Sequence, residues 1–202
     1  MKNNKRKVWA AVAATVLFVL LAVFYESSPM QAFDRTLSGW LGDAGFLEGF
    51  SFFGNPSTIF AVCLTVIVLL LIRHSPRDAL FILLAVGVGY AINEGLKEWF
   101  GRPRPEMEGQ LESHSFPSGH AQMGLLYVSS IGIIAMRRIR SIYWRRAIPA
   151  VAGILIAGMG LSRIALGRHY ATDVLAGWSV GTAYLLLLLI LFSYWNRDRI
   201  QS

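Results

Sequence analysis

Apolar residues occur along this chain in six long, continuous runs, separated by short polar or charged stretches. A helix needs about 20 mostly apolar residues to cross a bilayer, and the runs are close to that length. They lack the alternation of apolar and polar residues that marks a membrane-spanning strand. The pattern therefore predicts six transmembrane helices, over residues 8–25, 56–72, 79–100, 120–136, 147–161 and 174–195.

Residues 31–53, between the first two runs, follow a different pattern. Apolar and charged side chains alternate there at roughly helical spacing. The apolar ones are Phe33, Leu37, Trp40, Leu41, Phe46, Leu47 and Phe50, and the charged ones are Asp34, Arg35, Asp43 and Glu48. An amphipathic helix that lies in the membrane interface and breaks near residues 42–45 fits this pattern. The sequence leaves open whether this segment is a lid beside a site or only a connector.

Composition agrees with a membrane protein. Of the 202 residues, 54% are hydrophobic and 15% are charged, against about 25% charged in average soluble domains. We predict an all-α, polytopic membrane protein in which residues 1–202 form a single membrane-embedded domain, a six-transmembrane-helix bundle. The net charge of +7 does not indicate a nucleic-acid partner, because the cations are confined to short clusters between apolar runs. The expected partners are the lipid bilayer and a lipid substrate, and the oligomeric state stays open.

The cations also predict the orientation in the membrane. When the connections are assigned alternately to the two sides, thirteen of the 19 lysines and arginines fall on one side. These are Lys2, Lys5, Arg6, Lys7, Arg73, Arg77, Arg137, Arg138, Arg140, Arg145, Arg146, Arg197 and Arg199. The positive-inside rule places them, and both termini, in the cytoplasm. Residues 2–25 also resemble a signal peptide, but no small-x-small cleavage pattern follows, so we expect a retained first span.

The end of the third run carries the first chemical motif. Lys97 is followed by Arg104 and Pro105, and Gly101 and Pro103 lie between them. Glycine and proline end a helix, so both cations are expected just outside the span. Arginine suits forked contacts with phosphate oxygens, and lysine supplies a point charge. Asn93 and Glu94, one turn earlier, are candidates to orient Lys97.

A second motif precedes the fourth run. Pro117 is followed by Ser118, Gly119 and His120. Ser118 is a typical N-cap residue whose hydroxyl can also donate to a phosphate, and Gly119 permits close approach of the backbone. Amides at a helix N-terminus bind anions, so His120 is expected next to such an anion.

The third motif surrounds the start of the sixth run. Arg163 follows Ser162, and His169 and Asp173 come next, four residues apart. At that spacing both side chains lie on one helix face. The carboxylate can take the proton on Nδ1 and leave the Nε2 lone pair free, so that His169 acts as a nucleophile. His120 is then available as the general acid for the leaving group.

Each motif alone has a structural interpretation, as interfacial cations, a helix start or a buried pair. Their occurrence in order, on one predicted side of the membrane, instead favours one phosphate site. The site has one carboxylate, Asp173, and it is engaged with His169, whereas a two-metal phosphatase needs several. We therefore expect no metal and no cofactor.

These motifs resemble those of the type 2 phosphatidic acid phosphatase superfamily, also called lipid phosphate phosphatases. Within it, the size and plan are similar to bacterial enzymes acting on phosphatidylglycerophosphate or undecaprenyl pyrophosphate. The resemblance implies metal-independent hydrolysis of a lipid phosphate through a phosphohistidine. It also implies the residue roles: catalytic His169, His120 and Asp173, and substrate-binding Lys97, Arg104, Ser118, Gly119 and Arg163.

Other classes stay in view. The vanadate-dependent haloperoxidases share the motifs, but they are soluble, and six spans count against them. A non-catalytic phospholipid binder or transporter could use the same scaffold, but it would not need both His120 and His169. We expect phosphatidylglycerophosphate as the substrate, with undecaprenyl pyrophosphate as the alternative, and an active site on the outer face of the cell membrane.

Overall fold

A computed structural model describes residues 2–42 and 44–198 of the chain. Within these ranges the chain forms eight α-helices and one short 3-10 helix, at Gly45–Leu47. The α-helices are α1 (Lys2–Phe24), α2 (Ser28–Leu41), α3 (Glu48–Phe53), α4 (Pro56–Ile72), α5 (Pro76–Phe100), α6 (Gly119–Arg138), α7 (Ile142–Ala165) and α8 (Ala171–Asp198). Asp43 and Arg199, which the sequence analysis assigned to the amphipathic segment and the cytoplasmic side, lie outside the described residues.

The predicted all-α membrane fold is confirmed. Helices α1, α5, α6, α7 and α8 are each long and apolar enough to cross a membrane. The segment Gly45–Phe53 and helix α4 form a bent pair at 46°, which provides the sixth candidate span. Helix α4 coincides with the predicted run 56–72, and α7 is longer than the predicted 147–161 at both ends.

Helix α5 ends where its sequence stops it. The capping residue Gly101 has a φ of +57°, in the left-handed region that favours glycine, and its N–H donates to the carbonyl of Lys97 at 2.9 Å. The chain then runs without regular structure from Gly101 to Ser118. The cations of the first motif therefore lie at and just beyond the end of a helix.

The segment between the first two spans packs onto the bundle. Helix α2 contacts α7 and α8, and α3 contacts α7 and α4. Leu37 and Leu41 of α2 pack against a buried cluster that includes Ile164 and Val174. Asp34 lies among the buried residues of α2, with 3% of its surface exposed, so it is not part of a solvated polar face. The amphipathic helix predicted from the sequence is thus present and carries one charged residue into the protein.

The core lies between α4, α5, α6, α7 and α8. Its largest fully buried apolar side chains include Ile82, Leu126 and Met159. Because consecutive spans run in opposite directions, the ends of α5 and α7 lie at the same end of the bundle as the starts of α6 and α8. All three sequence motifs therefore meet there.

Candidate active site

A cavity of about 840 Å³ opens at the end of the bundle where the motifs meet. Its polar walls include Lys97, Arg104, His120, Arg163 and His169. These residues belong to the three motifs and are distributed between positions 97 and 169, and all three motifs line the same cavity. The fold brings together the cations and the two histidines that the sequence analysis grouped.

Arg104 contacts the predicted nucleophile directly. Its Nη1 lies 3.0 Å from Nε2 of His169. A guanidinium can only donate, so Nε2 of His169 is the acceptor and carries the lone pair. The neutral ring must then hold its proton on Nδ1, which is the tautomer that a nucleophilic Nε2 requires.

Arg104 is fixed by the loop around it. Its Nε and Nη2 donate to the carbonyl and hydroxyl of Ser113, and Nη2 also reaches the carbonyl of His114. Nη1 donates to the carbonyl of Arg168 as well as to His169. Arg104 therefore links the loop after α5 to His169.

Asp173 holds the other side of the His169 ring. Nδ1 of His169 lies 3.4 Å from Oδ2 of Asp173, which also accepts from the backbone N–H of Tyr170 at 3.0 Å. Both side chains are buried. Burial lowers the pKa of His169 to about 4, although the hydrogen bond and charge of Asp173 oppose this shift. The imidazole is therefore neutral at physiological pH.

His120 stands in the same cavity, at the start of α6. Its Nε2 lies 3.4 Å from Oδ1 of Asn55, so the ring donates from this nitrogen to the amide oxygen. A Cβ on Gly54 would come within 2.4 Å of the ring, so only glycine permits this approach. The joint between α3 and α4 thereby fixes where His120 sits.

Lys97 is oriented from its own helix. Its Nζ forms an ion pair with Glu94 at 2.8 Å, in agreement with the predicted role of that residue. Asn93 is buried and donates to the side chain of Gln122 at 2.9 Å. A Cβ on Gly119 would lie 3.1 Å from Oδ1 of Asn93 and 3.6 Å from Nζ of Lys97. The first and second motifs are therefore in close contact at Gly119.

Two buried donors at the site have no hydrogen-bond partner among the described residues. They are the hydroxyl of Ser118 and Nε of Arg163. Ser118 occupies the N-cap position of α6, but its side chain makes no capping bond. Because a buried unpaired donor is costly, Nε of Arg163, which lines the cavity, is suited to an anionic ligand there. Ser118 is fully buried and does not line the cavity, although the sequence analysis placed it at the phosphate.

Helix α3 contacts α7 and α6 close to the cavity. Ser51 accepts a 2.8 Å hydrogen bond from Nη1 of Arg163, and the ring of Phe50 lies where a Cβ on Gly158 would be. The backbone carbonyl of Phe53 accepts from the hydroxyl of Tyr127. The segment therefore packs against Arg163, one of the residues that line the cavity.

Within the described ranges, no three His, Cys, Asp or Glu side chains converge as a metal site requires. Glu94 pairs with Lys97, and Asp173 pairs with Arg102 and His169. The independence from metals remains a prediction, to be tested by chelation.

A model of the PAP2 superfamily matches residues 78–197, which contain all three motifs. The chain belongs to the PAP2 superfamily. It is 26% identical to phosphatidylglycerophosphatase B of Bacillus subtilis over 188 residues, which cover 88% of this chain and 92% of that protein. It is 29% identical to a lipid A 4'-phosphatase of Francisella tularensis subsp. novicida, over 75% of this chain and 74% of that protein.

A solved structure of this superfamily has the same fold. It is the crystal structure of a transmembrane PAP2 type phosphatidylglycerolphosphate phosphatase from Bacillus subtilis, with a TM-score of 0.82 and 25% identity. The match covers 92% of this chain and 97% of that one. The membrane-embedded phosphatase fold expected from the resemblance is thus confirmed.

Sequence analysis missed several residues that contact the site. Arg168 lines the cavity, Asn55 contacts His120, and Arg102 contacts Asp173. The sequence could have indicated Arg102 as a site residue, because Arg102 and Arg104 each come directly before a proline, Pro103 and Pro105. A residue before proline is extended, and extended residues two apart project to the same side. The contact of Asn55 depends on how α3 packs, and the local sequence carries no signal for it.

Proposed function

We propose that this chain hydrolyses the phosphate ester of a membrane lipid through a phosphohistidine on His169. The observation that carries the proposal is the pair of contacts on the His169 ring. Arg104 donates to Nε2 and Asp173 faces Nδ1, so the lone pair of Nε2 is directed into a cavity lined by cations. A ring held in this way is set for nucleophilic attack.

The bonds and protons balance over two steps. In the first, which begins with His120 protonated, Nε2 of His169 forms a P–N bond, the P–O ester bond breaks, and the leaving alkoxide takes a proton from the His120 imidazolium. In the second, His120 takes a proton from water, the water oxygen attacks phosphorus, and the P–N bond breaks. Free phosphate and the lipid alcohol are the products, and both histidines return to their starting states.

Cations around the cavity would stabilise the phosphoryl group. Lys97, Arg104 and Arg163 supply fixed positive charge, and the first turn of α6 supplies amides. The free Nε of Arg163 adds one contact. When Nε2 bonds to phosphorus, Nη1 of Arg104 loses its acceptor there and can donate to a phosphoryl oxygen. Charge stabilisation of this kind is the main means of catalysing phosphoryl transfer.

The apolar half of the cavity indicates a lipid substrate. Its walls include Ile59 and Phe60 of α4 and Val86 and Tyr90 of α5. Phe60 and Tyr90 are also exposed on the outer surface of the bundle. The cavity therefore continues from the cations toward the face that contacts acyl chains, as a lipid phosphate requires.

The substrate that we favour is phosphatidylglycerophosphate, on the similarity to phosphatidylglycerophosphatase B. Undecaprenyl pyrophosphate is the second candidate, because Arg168 adds a fourth cation to the cavity, which suits two phosphates. The relatives include lipid A phosphatases, so lipid A belongs in the same comparison. A non-catalytic binder is disfavoured because it has no use for two histidines at one phosphate site.

We further propose that both termini are cytoplasmic and that the site faces the outer side of the membrane, within a single domain. The distribution of arginines supports this orientation. The connection between α6 and α7 and the first turns of α7 carry Arg140, Arg145 and Arg146, at the end of the bundle opposite to the cavity.

A turnover assay with trapping tests this function. Purified protein would be assayed on phosphatidylglycerophosphate, undecaprenyl pyrophosphate, phosphatidic acid and lipid A in matched micelles. We expect release of inorganic phosphate and, after rapid quenching at alkaline pH, phosphate label on His169. The variant Asp78→Asn, at the opposite end of the bundle, serves as the control. Absence of release from every lipid, or label on another residue, would contradict the proposal.

A further inference from the structure

A second layer of buried charge lies behind the His169–Asp173 pair. Asp173 uses Oδ2 for His169 and for the N–H of Tyr170. Its other oxygen, Oδ1, accepts from Nη1 of Arg102 at 2.6 Å. Asp173 is fully buried, and Arg102 is 7% exposed. The carboxylate that orients the nucleophile is therefore itself oriented by a buried cation.

Arg102 is held rigidly in this position. Its guanidinium lies 4.6 Å from the ring centre of Tyr25 and 4.0 Å from that of Tyr170. In the plane of the guanidinium, Nη1 also donates to the hydroxyl of Thr172, and Nη2 donates to Oδ2 of Asp34 at 3.0 Å. Aromatic rings lie against the flat faces of the guanidinium, and hydrogen-bond acceptors lie around its edge. This arrangement suits the planar side chain of arginine and does not suit lysine.

Asp34 completes the layer from a distant part of the chain. It lies on α2, and its Oδ1 accepts from the backbone N–H of Thr172 in the first turn of α8, at 2.8 Å. Its Oδ2 accepts from the hydroxyl of Thr172 and from Arg102. A carboxylate at this position caps the N-terminus of α8 and interacts favourably with the positive end of the helix dipole. Asp34 therefore fixes both Arg102 and the helix that carries Asp173.

The net charge of Asp34, Arg102 and Asp173 complements the charge that His169 gains in the proposed reaction. Asp34, Arg102 and Asp173 carry a net charge of −1, and the imidazole of His169 is neutral before attack. When Nε2 bonds to phosphorus, the ring becomes cationic and the four groups become neutral as a set. A buried set that approaches neutrality as the reaction proceeds stabilises the transition state over the ground state.

We propose that Asp34 and Arg102 are positioning residues that set the charge and orientation of Asp173 and so determine the reactivity of His169. The inference rests on the proposed function, since it concerns the same nucleophile. Neither residue lines the cavity that holds the substrate. Their effect is therefore expected in turnover and in its pH dependence, with little change in substrate binding.

Removal of the charge of Arg102 and removal of the charge of Asp34 should have different effects on the pH profile of kcat. In Arg102→Met, a buried cation near His169 is lost and two buried carboxylates remain, which favours the protonated form of the His169 ring. The acid limb of kcat should then move to higher pH, by about one unit or more. In Asp34→Asn, Arg102 pairs with Asp173 alone, and the negative charge of Asp34 is gone. The acid limb of kcat should therefore stay or move to lower pH.

The charged groups near the pair include the two that are changed, and the others are common to all of these variants. Around His169 and Asp173 they come from the loop after α5, from α2, from α7 and from α6. They are Arg102, Arg104, Asp34, Arg163, Arg168 and His120. A merely structural clamp between α2 and α8 would lower stability in both variants but would not move the two pH profiles apart.

The experiment compares six purified proteins in detergent micelles on one lipid phosphate: wild type, Arg102→Met, Arg102→Lys, Asp34→Asn, the double variant Arg102→Met with Asp34→Asn, and Asp78→Asn as control. We expect kcat to fall about 10- to 100-fold in Arg102→Met and in Asp34→Asn, the range typical of residues that act through a histidine's partner, with KM within about two-fold. The double variant restores a net charge of −1, so it should be more active at neutral pH than Arg102→Met. Arg102→Lys should not restore wild-type kcat, because lysine lacks the forked guanidinium that donates to Asp173 and Asp34 at once.

The outcomes separate the two proposals. No turnover by the wild type on any lipid phosphate contradicts the proposed function. With an active wild type, unchanged kcat in Arg102→Met or in Asp34→Asn overturns the inference, and so do pH profiles that move together or a double variant no better than Arg102→Met. If Arg102→Met does not fold, Asp34→Asn decides: the inference fails unless that variant lowers kcat at unchanged KM without raising the acid limb.

Discussion

Nη1 of Arg104 lies 3.0 Å from Nε2 of His169, so a fixed cation points at the lone pair that we propose as the nucleophile. Arg104 also donates to the carbonyl of Arg168 and to the backbone and side chain of Ser113. The loop thus holds a donor beside Nε2, where the proposed P–N bond would bring a phosphoryl oxygen.

Replacement of Arg104 by lysine should therefore be severe. Lysine keeps the charge, but one ammonium group cannot hold the loop and face His169 at once. We expect Arg104→Lys to lower kcat by about 10²-fold or more, as removal of one preorganised donor does, and to weaken inhibition by vanadate. Steady-state kinetics measure both, with Arg146→Lys as the matched control. Wild-type kcat in Arg104→Lys would show that the contact is incidental.

The pH dependence follows from the burial of His169. Desolvation lowers its pKa to about 4, against the opposing effect of Asp173. The ring is neutral and nucleophilic above that pH, and the nucleophile is lost as the pH falls through it. Nitrogen chemical shifts of labelled histidine, assigned by loss of the signal in His169→Gln, should titrate well below the ordinary value of about 6.5. A midpoint at 6.5 would contradict the buried, neutral state.

Much of the fold followed from the sequence because bilayer thickness fixes the length of an apolar run. The start and end of α4 were predicted, and so was the end of α5 at Phe100. The meeting of His120 and His169 also followed, because alternating spans bring their motifs to one end of the bundle. Each of these features depends on local sequence and on the number of crossings.

The partners of the catalytic pair could not be derived in the same way. Asp34 contacts Thr172 across 138 residues, and that contact depends on the packing of α2 against α8. The local signal was present, because Asp34 lies three residues before Leu37 on the same helix, and Leu37 and Leu41 are half-buried there. A charged residue on an apolar stripe needs a buried partner, but the sequence does not say which one.

Asp173→Asn should affect turnover more than binding. The amide can still occupy the space beside His169, but it cannot stabilise the cationic ring or balance Arg102. We expect a loss of about 2–4 kcal/mol in transition-state stabilisation, in line with other base and orienter pairs. The measurement is kcat and KM at several pH values, with Asp78→Asn as the control. Near-normal kcat would show that the pair is structural.

Activity should survive chelation. The carboxylates nearest the site are engaged, Glu94 with Lys97 and Asp173 with Arg102. Protein treated with EDTA and dialysed should keep its turnover on a short-chain lipid phosphate, and added Mg²⁺, Mn²⁺ or Zn²⁺ should change it little. Loss of turnover that one of these ions restores would rule out the mechanism proposed for His169 alone.

The orientation in the membrane can be tested by cysteine labelling in intact cells. Glu108 lies in the exposed loop on the side of the cavity, and Ser141 lies in the exposed connection between α6 and α7, at the other end of the bundle. The native Cys63 is buried in α4, so its background should be low. Because the arginine clusters favour a cytoplasmic position for Ser141, a membrane-impermeant thiol reagent should label Glu108→Cys and leave Ser141→Cys unlabelled. Permeabilised cells, in which both should react, provide the control. The reverse pattern would place the cavity in the cytoplasm, and the lipid phosphate would then have to reach it from the inner leaflet.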